Sequence, residues 1–228
     1  MDRLLQRNKD FNIRYNKYKG FVYFICMSHN LDKIYYINLN KRTDRREQIE
    51  KELDSFGLKY ERFEAIETPG FGIYGCGLSH LSVIKNAKLN NYANVLILED
   101  DFTFLVSKEE FEQKLSSFFE LKLDYDVLMM SYNLIQKEET NNRLLTKVLE
   151  AQTASGYIID KRYYDTIIDL YEWAMPLLNE TKQHWIYSND QVWKGLQAKD
   201  DWYCFTERIG KQMAGYSDNA QQFFDYSM

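Results

Sequence analysis

Two prolines in 228 residues leave this chain almost without the residue that interrupts helices and central strands. Cysteine is scarce as well. Cys26, Cys76 and Cys204 are odd in number and far apart, so they offer neither a disulfide framework nor a zinc-ligand spacing, and a reducing compartment is the expectation. His29, His80 and His184 are too scattered to suggest a metal cluster. There is no basic excess: 29 Lys and Arg against 34 Asp and Glu give a net charge of -5, which disfavours nonspecific attraction to nucleic acid. Any anion bound here must therefore meet a local basic patch. Long apolar runs are missing too. The stretch from Phe21 to Met27 is far too short to cross a bilayer, and it follows twenty mostly polar residues with no small-residue cleavage site. Neither a secretory signal nor a membrane span is expected, and the cytoplasm is the expected location.

What is present is apolar and aromatic: 45% hydrophobic residues, 16% of the chain being Phe, Trp or Tyr, enough for one large core. Residues 1–31 are polar, basic and aromatic without a clean period and read as an N-terminal extension, either an arm or an added helix. Residues 32–228 read as one domain. Ile34 to Leu39 forms a strand, and Asp44 to Phe56 a helix, with Asp44 and Glu47 spaced as a capping box and Ile49, Leu53 and Phe56 on one face. Gly57 stops that helix, and Lys59 to Ile66 alternates as a strand. Gly70, Gly72, Gly75 and Gly77 cluster as a loop before a helix over Leu78 to Leu89. Further on come a helix over Lys108 to Leu121, a buried strand over Asp126 to Ser131, and a polar stretch at 136–147. A strand over Ala154 to Ile159, a helix over Lys161 to Trp173 and a helix from Ser188 to Ala198 complete the pattern. Alternating strands and helices predict an α/β sandwich with a mostly parallel central sheet flanked by helices.

The densest signal is Val95-Leu96-Ile97-Leu98-Glu99-Asp100-Asp101. An all-apolar run of this length reads as a strand buried on both faces. Three acids at its end place carboxylates where open α/β sheets bind ligands. Adjacent carboxylates repel, so the cluster calls for a cation, and oxygen donors suit Mn2+ or Mg2+.

Three other constellations carry chemistry. Lys41, Arg42, Arg45 and Arg46 crowd a strand end and a helix start, the place and charge that suit a diphosphate. Gly75-Cys76-Gly77-Leu78-Ser79-His80 brings glycines to a helix entry without a Walker lysine or a dinucleotide fingerprint. Ser79 and His80 are helix neighbours and cannot serve each other as nucleophile and base. Asp190, in Ser188-Asn189-Asp190, is a candidate general base or simply part of a helix start.

The order of these motifs resembles glycosyltransferase family 25, which includes bacterial lipooligosaccharide glycosyltransferases and animal collagen galactosyltransferases. Ile37-Asn38-Leu39 with its basic loop, then Gly75 to His80, then Leu98 to Asp101 follow the family's sequence of motifs. Thr153-Ala154-Ser155-Gly156-Tyr157-Ile158-Ile159 is similar to a later family strand, Asp190 falls near a family acid, and Gln212 with Ser217-Asp218 is similar to the end of bacterial members. Gly77 departs from the pattern, since relatives often carry a larger residue there, and Asn189 stands where an apolar residue is usual.

The resemblance implies a GT-A-like fold and an inverting transfer of a hexose, galactose before glucose, from a UDP-sugar to a hydroxyl of a glycan or of hydroxylysine. It implies Mn2+ or Mg2+ on Asp101 and Glu99, and a donor site drawn from Asn38, Arg42, Arg45, Arg46, Ser79, His80, Glu99 and Asp100. Asp190 is the expected base. Trp185, Tyr187 and Trp193 are candidates to stack on an acceptor sugar, with at least one of them expected in the core instead. A peripheral position beside a membrane-bound acceptor, as in lipopolysaccharide biosynthesis, is compatible with the basic extension. The alternatives are a metal-dependent phosphoesterase or nuclease, and a non-catalytic nucleotide- or glycan-binding relative.

Overall fold

The computed structural model describes residues 30–217 and 222–224. Nearly all of the expected extension at 1–31, together with Cys26, His29 and Asp218, lies outside the described residues. In chain order the elements are β1 (Lys33–Asn38), α1 (Thr43–Ser55), β2 (Glu61–Glu64), α2 (Gly72–Leu89), β3 (Asn94–Glu99), β4 (Phe102–Phe104), α3 (Lys108–Glu120), β5 (Val127–Met129), β6 (Asn133–Glu139), β7 (Leu145–Gln152) and β8 (Gly156–Asp160). A short 3-10 turn (Lys161–Tyr163) then opens α4 (Tyr164–Thr181). After it come α5 (His184–Tyr187), α6 (Asn189–Val192), α7 (Lys194–Gln197), β9 (Trp202–Phe205), β10 (Gly210–Gln212), β11 (Gly215–Ser217) and β12 (Gln222–Phe224).

Eight strands make the main sheet, in the order β2-β1-β3-β8-β5-β9-β7-β6. Six point the same way and two, β8 and β7, run against them, which gives the mostly parallel α/β sheet expected from the pattern. The apolar runs are buried on both faces, as a parallel interior requires. Ile34, Tyr36, Leu96 and Leu98 face one core with Ile49 and Leu53 of α1 and with Phe111, Leu115 and Phe118 of α3. Tyr35, Ile37, Val95 and Ile97 face the other, with Val83, Ile84 and Ala87 of α2 and Ile167, Ile168 and Tyr171 of α4.

Local chemistry sets the element ends. Gly57, at φ +67°, takes the left-handed position beyond α1, and the Leu58 N–H bonds back to the Leu53 carbonyl. The expected capping box does not form: α1 is entered from Arg42 without a side-chain cap. Ser107 does cap α3, accepting from the Glu110 N–H.

Three further expectations are corrected. The glycine cluster is not a loop before a helix at Leu78, because α2 already begins at Gly72. A β-carbon on Gly75 would lie 2.2 Å from the Ile66 carbonyl oxygen, and one on Gly77 2.3 Å from Met175 Sδ, so these glycines admit neighbouring chain and side chain. The polar stretch at 136–147 belongs to a hairpin of β6 and β7, whose edge strand is exposed and shows no alternation. The helix expected from Ser188 to Ala198 breaks into α6 and α7 at Trp193.

Candidate functional site

The parallel register pairs Ile37 with Glu99, so β1 and β3 end side by side and deliver Asn38 next to Asp100. Asn38 is buried. Its Nδ2 donates to Asp100 Oδ2 at 2.7 Å and to the Arg42 carbonyl at 3.0 Å, while its Oδ1 accepts from Arg62 Nε at 3.1 Å. Arg45, on the first turn of α1, aims one guanidinium nitrogen at Asp100 Oδ1 (2.9 Å) and Asp101 Oδ2 (3.2 Å). The acidic cluster therefore already holds one cation, a guanidinium. From the far end of the chain, β10 pairs with β4, the Met213 N–H bonds to the Asp101 carbonyl at 2.7 Å, and Gln212 Nε2 approaches Glu99 Oε2 at 3.5 Å.

Glu99 turns the other way, into the helix layer. Its Oε1 meets His80 Nε2 at 3.0 Å and Cys76 Sγ at 3.4 Å, one helical turn apart on α2. His80 is fully buried and its Nδ1 meets the Tyr157 hydroxyl of β8 at 2.9 Å. Asn189 Nδ2 donates to Cys76 Sγ at 3.8 Å.

The three acids differ in their electrostatics. Burial works to raise Glu99, but the hydrogen bond and charge of His80, with help from Cys76 and Arg45, hold it below the usual carboxylate range. Asp100 is raised, chiefly by burial, against the pull of Arg45. Asp101 is pushed up to about 7 by burial and by the neighbouring Glu99 charge. The Cys76 thiol lies well above its ordinary value, from burial first and Glu99 second.

The expected donor-site residues are thus divided by the fold. Asn38, Arg45, Asp100 and Asp101 converge. Arg42 instead makes a two-pronged pair with Asp44, and Arg46 pairs with Glu50. Ser79 is a buried clip, accepting from the Ile66 N–H and donating to the Gly75 carbonyl. His80 reaches the acids only through Glu99. Asp190 stands at the start of α6, where its Oδ2 accepts from the Thr153 N–H at 3.2 Å and its Oδ1 from Ser188 Oγ at 3.0 Å. Thr153 sits at φ +84°, strained for a β-branched residue, and Asp190 holds it there. Among the aromatics, Trp193 is a core residue wedged edge-on between Tyr157 and Trp202, whereas Trp185 is 63% exposed.

The oxygen-ligand cation expected on Asp101 and Glu99 fits these residues. Asp101 Oδ1 is buried with no hydrogen-bond partner among the described residues, a costly arrangement that an ion would relieve. Glu99 offers only Oε2 to it, because Oε1 is enclosed by His80 and Cys76. The grouping of Cys76, His80 and Glu99 itself was missed by sequence reasoning. A Cys and a His four apart on one helix face was the available signal, but the third member lies on another element.

Comparison with known proteins bears on this geometry. The model of "Glycosyltransferase family 25 (LPS biosynthesis protein)" matches residues 31–69 and 70–178, well over half of the chain. A "Glycosyltransferase 25 family member" of Drosophila melanogaster is 31% identical over 102 residues, covering 33% of this chain and 17% of the relative. "Procollagen galactosyltransferase 1-A" of Xenopus laevis is 25% identical over 138 residues, covering 48% and 23% respectively. The chain thus spans less than a quarter of the length of these two relatives. A crystal structure of a glycosyltransferase involved in glycosylation of the major capsid of PBCV-1 superposes with a TM-score of 0.48 at 12% identity, over 83% of this chain and 95% of that one. The family model runs through β1, α1, α2, β3 and β8, the elements that carry Asn38, Arg45, Cys76, His80, the three acids and Tyr157: the chain belongs to glycosyltransferase family 25.

Proposed function

We propose that this chain is an inverting, GT-A-type glycosyltransferase that moves a hexose from a UDP-sugar to a hydroxyl of a glycan or hydroxylysine acceptor. The observation that carries the reading is the convergence of Asn38, Arg45, Asp100 and Asp101 beyond adjacent parallel strand ends, with Asp101 Oδ1 left unpartnered, in a family 25 chain. Galactose is the leading donor sugar, in line with the name of the Xenopus relative, and glucose the second. Asp101 Oδ1 and Glu99 Oε2 would hold Mn2+ or Mg2+, which would supply charge neutralisation for a diphosphate.

The chain's own groups do the rest. Arg45 presents a guanidinium whose two acidic partners keep it charged and aimed at the strand ends. Asp100 has both oxygens engaged, by Asn38 and Arg45, and anchors this array. Arg42 and Arg46 are held by Asp44 and Glu50 and reach a diphosphate by leaving them. Asp190 takes the acceptor hydroxyl proton as the sugar transfers, which needs a carboxylate on the face opposite the leaving group. Trp185 is exposed for an acceptor ring to stack on. Among the described residues no helix is long and apolar enough to cross a membrane. We place the activity in the cytoplasm.

UDP release measured against a panel of UDP-sugars, with Mn2+ or with EDTA, tests the reading. Slow, metal-dependent release from one donor, lost in Asp101→Ala, is the expected result. A chain that neither releases nor binds UDP, the latter by calorimetry, overturns it and brings a phosphoesterase forward.

A further inference from the structure

We infer that Cys76, His80 and Glu99 form a zinc-type metal site, separate in its donor chemistry from the oxygen-ligand cation of the transfer reaction. Cys76 Sγ, His80 Nε2 and a Glu99 oxygen lie within 4.8 Å of one another. Two edges of the triangle are 3.0 Å (N to O) and 3.4 Å (S to O). A tetrahedral ion with bonds of about 2.0 Å to N and O and about 2.3 Å to S sets those edges at about 3.3 and 3.5 Å. The donors are therefore close to ligating distance before any ion arrives.

The donor set is the discriminating feature. Mn2+ and Mg2+ prefer oxygen, whereas thiolate plus imidazole plus carboxylate selects Zn2+ or its chemical neighbours. The outer partners that such a site needs are also in place. Metal-bound imidazoles use their second nitrogen on a fixed partner, and His80 Nδ1 has the Tyr157 hydroxyl at 2.9 Å. Metal-bound sulfur is steadied by N–H donors, and Asn189 Nδ2 points at Sγ. Asn189 thereby gains a physical role.

Binding is balanced in protons. The Cys76 thiol releases its proton to solvent as the sulfur–metal bond forms. His80 binds the ion through Nε2, releasing that proton to solvent, and keeps the Nδ1 proton, which it donates to the Tyr157 oxygen. Glu99 is already ionised, and its carboxylate with the thiolate neutralises the divalent charge. Three protein ligands leave the fourth position for water. The ion ties α2 to the end of β3 and so fixes the strand end that carries the acids.

The test uses the full chain, stripped with chelator and titrated with Co2+ and with Zn2+. About one equivalent of Co2+ should give visible tetrahedral bands and a near-ultraviolet sulfur-to-cobalt charge-transfer band, which Zn2+ displaces. Cys76→Ser should lose the sulfur band. Tyr157→Phe should keep it but bind about 10-fold more weakly, since it removes only the outer partner. Asp101→Asn should leave the band unchanged, which separates this site from the donor-site cation. A wild-type chain with no sulfur band, or a folded Cys76→Ser chain that retains it, overturns the inference. The readout is spectroscopic, so it stands or falls apart from any sugar transfer. Should Cys76→Ser not fold, the wild-type spectrum and the Tyr157→Phe affinity decide the question.

Discussion

Arg45 donates from a single guanidinium nitrogen to both Asp100, at 2.9 Å, and Asp101, at 3.2 Å. Removing it leaves two largely buried carboxylates facing each other without their protein cation. Arg45→Ala should destabilise the fold by about 2–4 kcal/mol, near the lower end of what breaking a buried pair costs because the group keeps some solvent. Arg45→Lys should recover part of that, lacking the fork but keeping the charge. Urea unfolding near neutral pH measures both; an unchanged midpoint in the alanine variant would show that the acids relax without the guanidinium.

The pH response should centre on Asp101. Its folded pKa, about 7, lies above the ordinary 3.8. Between those values the folded chain holds a proton that the unfolded chain has lost, so this group's contribution to stability falls as pH rises from about 4 to 7. Asp101→Asn should flatten that part of the melting-temperature profile. Mn2+ competes with the same proton, so its affinity in the wild type should climb with pH up to about 7 and then level off. Calorimetric titration at stepped pH checks it, and a pH-independent affinity would remove Asp101 from the ion's coordination.

Asp190 carries two loads, the strained Thr153 backbone and the proposed proton transfer. Asp190→Asn keeps a hydrogen-bonding oxygen but loses the base. Transfer should drop by about 10²- to 10⁴-fold with UDP affinity preserved. Near-normal turnover would leave Asp190 with its structural task alone. Thr153→Gly, which relieves the positive φ, should be neutral or stabilising by up to about 1 kcal/mol in thermal unfolding.

Gly75 and Gly77 of α2 should respond unequally to alanine. At Gly75 the new β-carbon meets a backbone carbonyl at 2.2 Å, whereas at Gly77 it meets the flexible end of Met175 at 2.3 Å. Gly75→Ala should cost about 3 kcal/mol and Gly77→Ala about 1 kcal/mol, because only the methionine can step aside. Chemical denaturation of the two single variants compares them directly; equal costs would mean that α2 shifts as a unit.

Legibility followed the range of the interactions involved. Val95 to Asp101 could be read outright, because a strand buried on both faces writes itself as a continuous apolar run and its end as a change to acid. That three adjacent carboxylates need positive charge among them was legible, but not that a guanidinium would supply some of it. Nor was it legible which of Arg42, Arg45 and Arg46 turns inward, since that depends on how α1 docks. The trio of Cys76, His80 and Glu99 stayed hidden for the same reason: 19 residues and a change of element separate His80 from Glu99. The glycines of α2 read as a loop because sequence alone does not distinguish a glycine needed for backbone freedom from one needed for space. The β6–β7 hairpin was missed because an edge strand exposed on both faces has no apolar period to show.

Strand β9 fills the slot between β5 and β7, although in the chain it begins about fifty residues after β7 ends and later still after β5. During synthesis the β2-β1-β3-β8-β5 half of the sheet is therefore complete in sequence while the β6–β7 hairpin still has nothing to pair with on its inner side. Until residues 202–205 emerge, the growing chain carries two open strand edges, one on β5 and one on β7, and both recruit other strands readily. Yield in cells should thus depend on how quickly the last quarter of the chain is made or on what shields those edges meanwhile. This vulnerability belongs to the order of strands in the chain, and the finished molecule bears no trace of it.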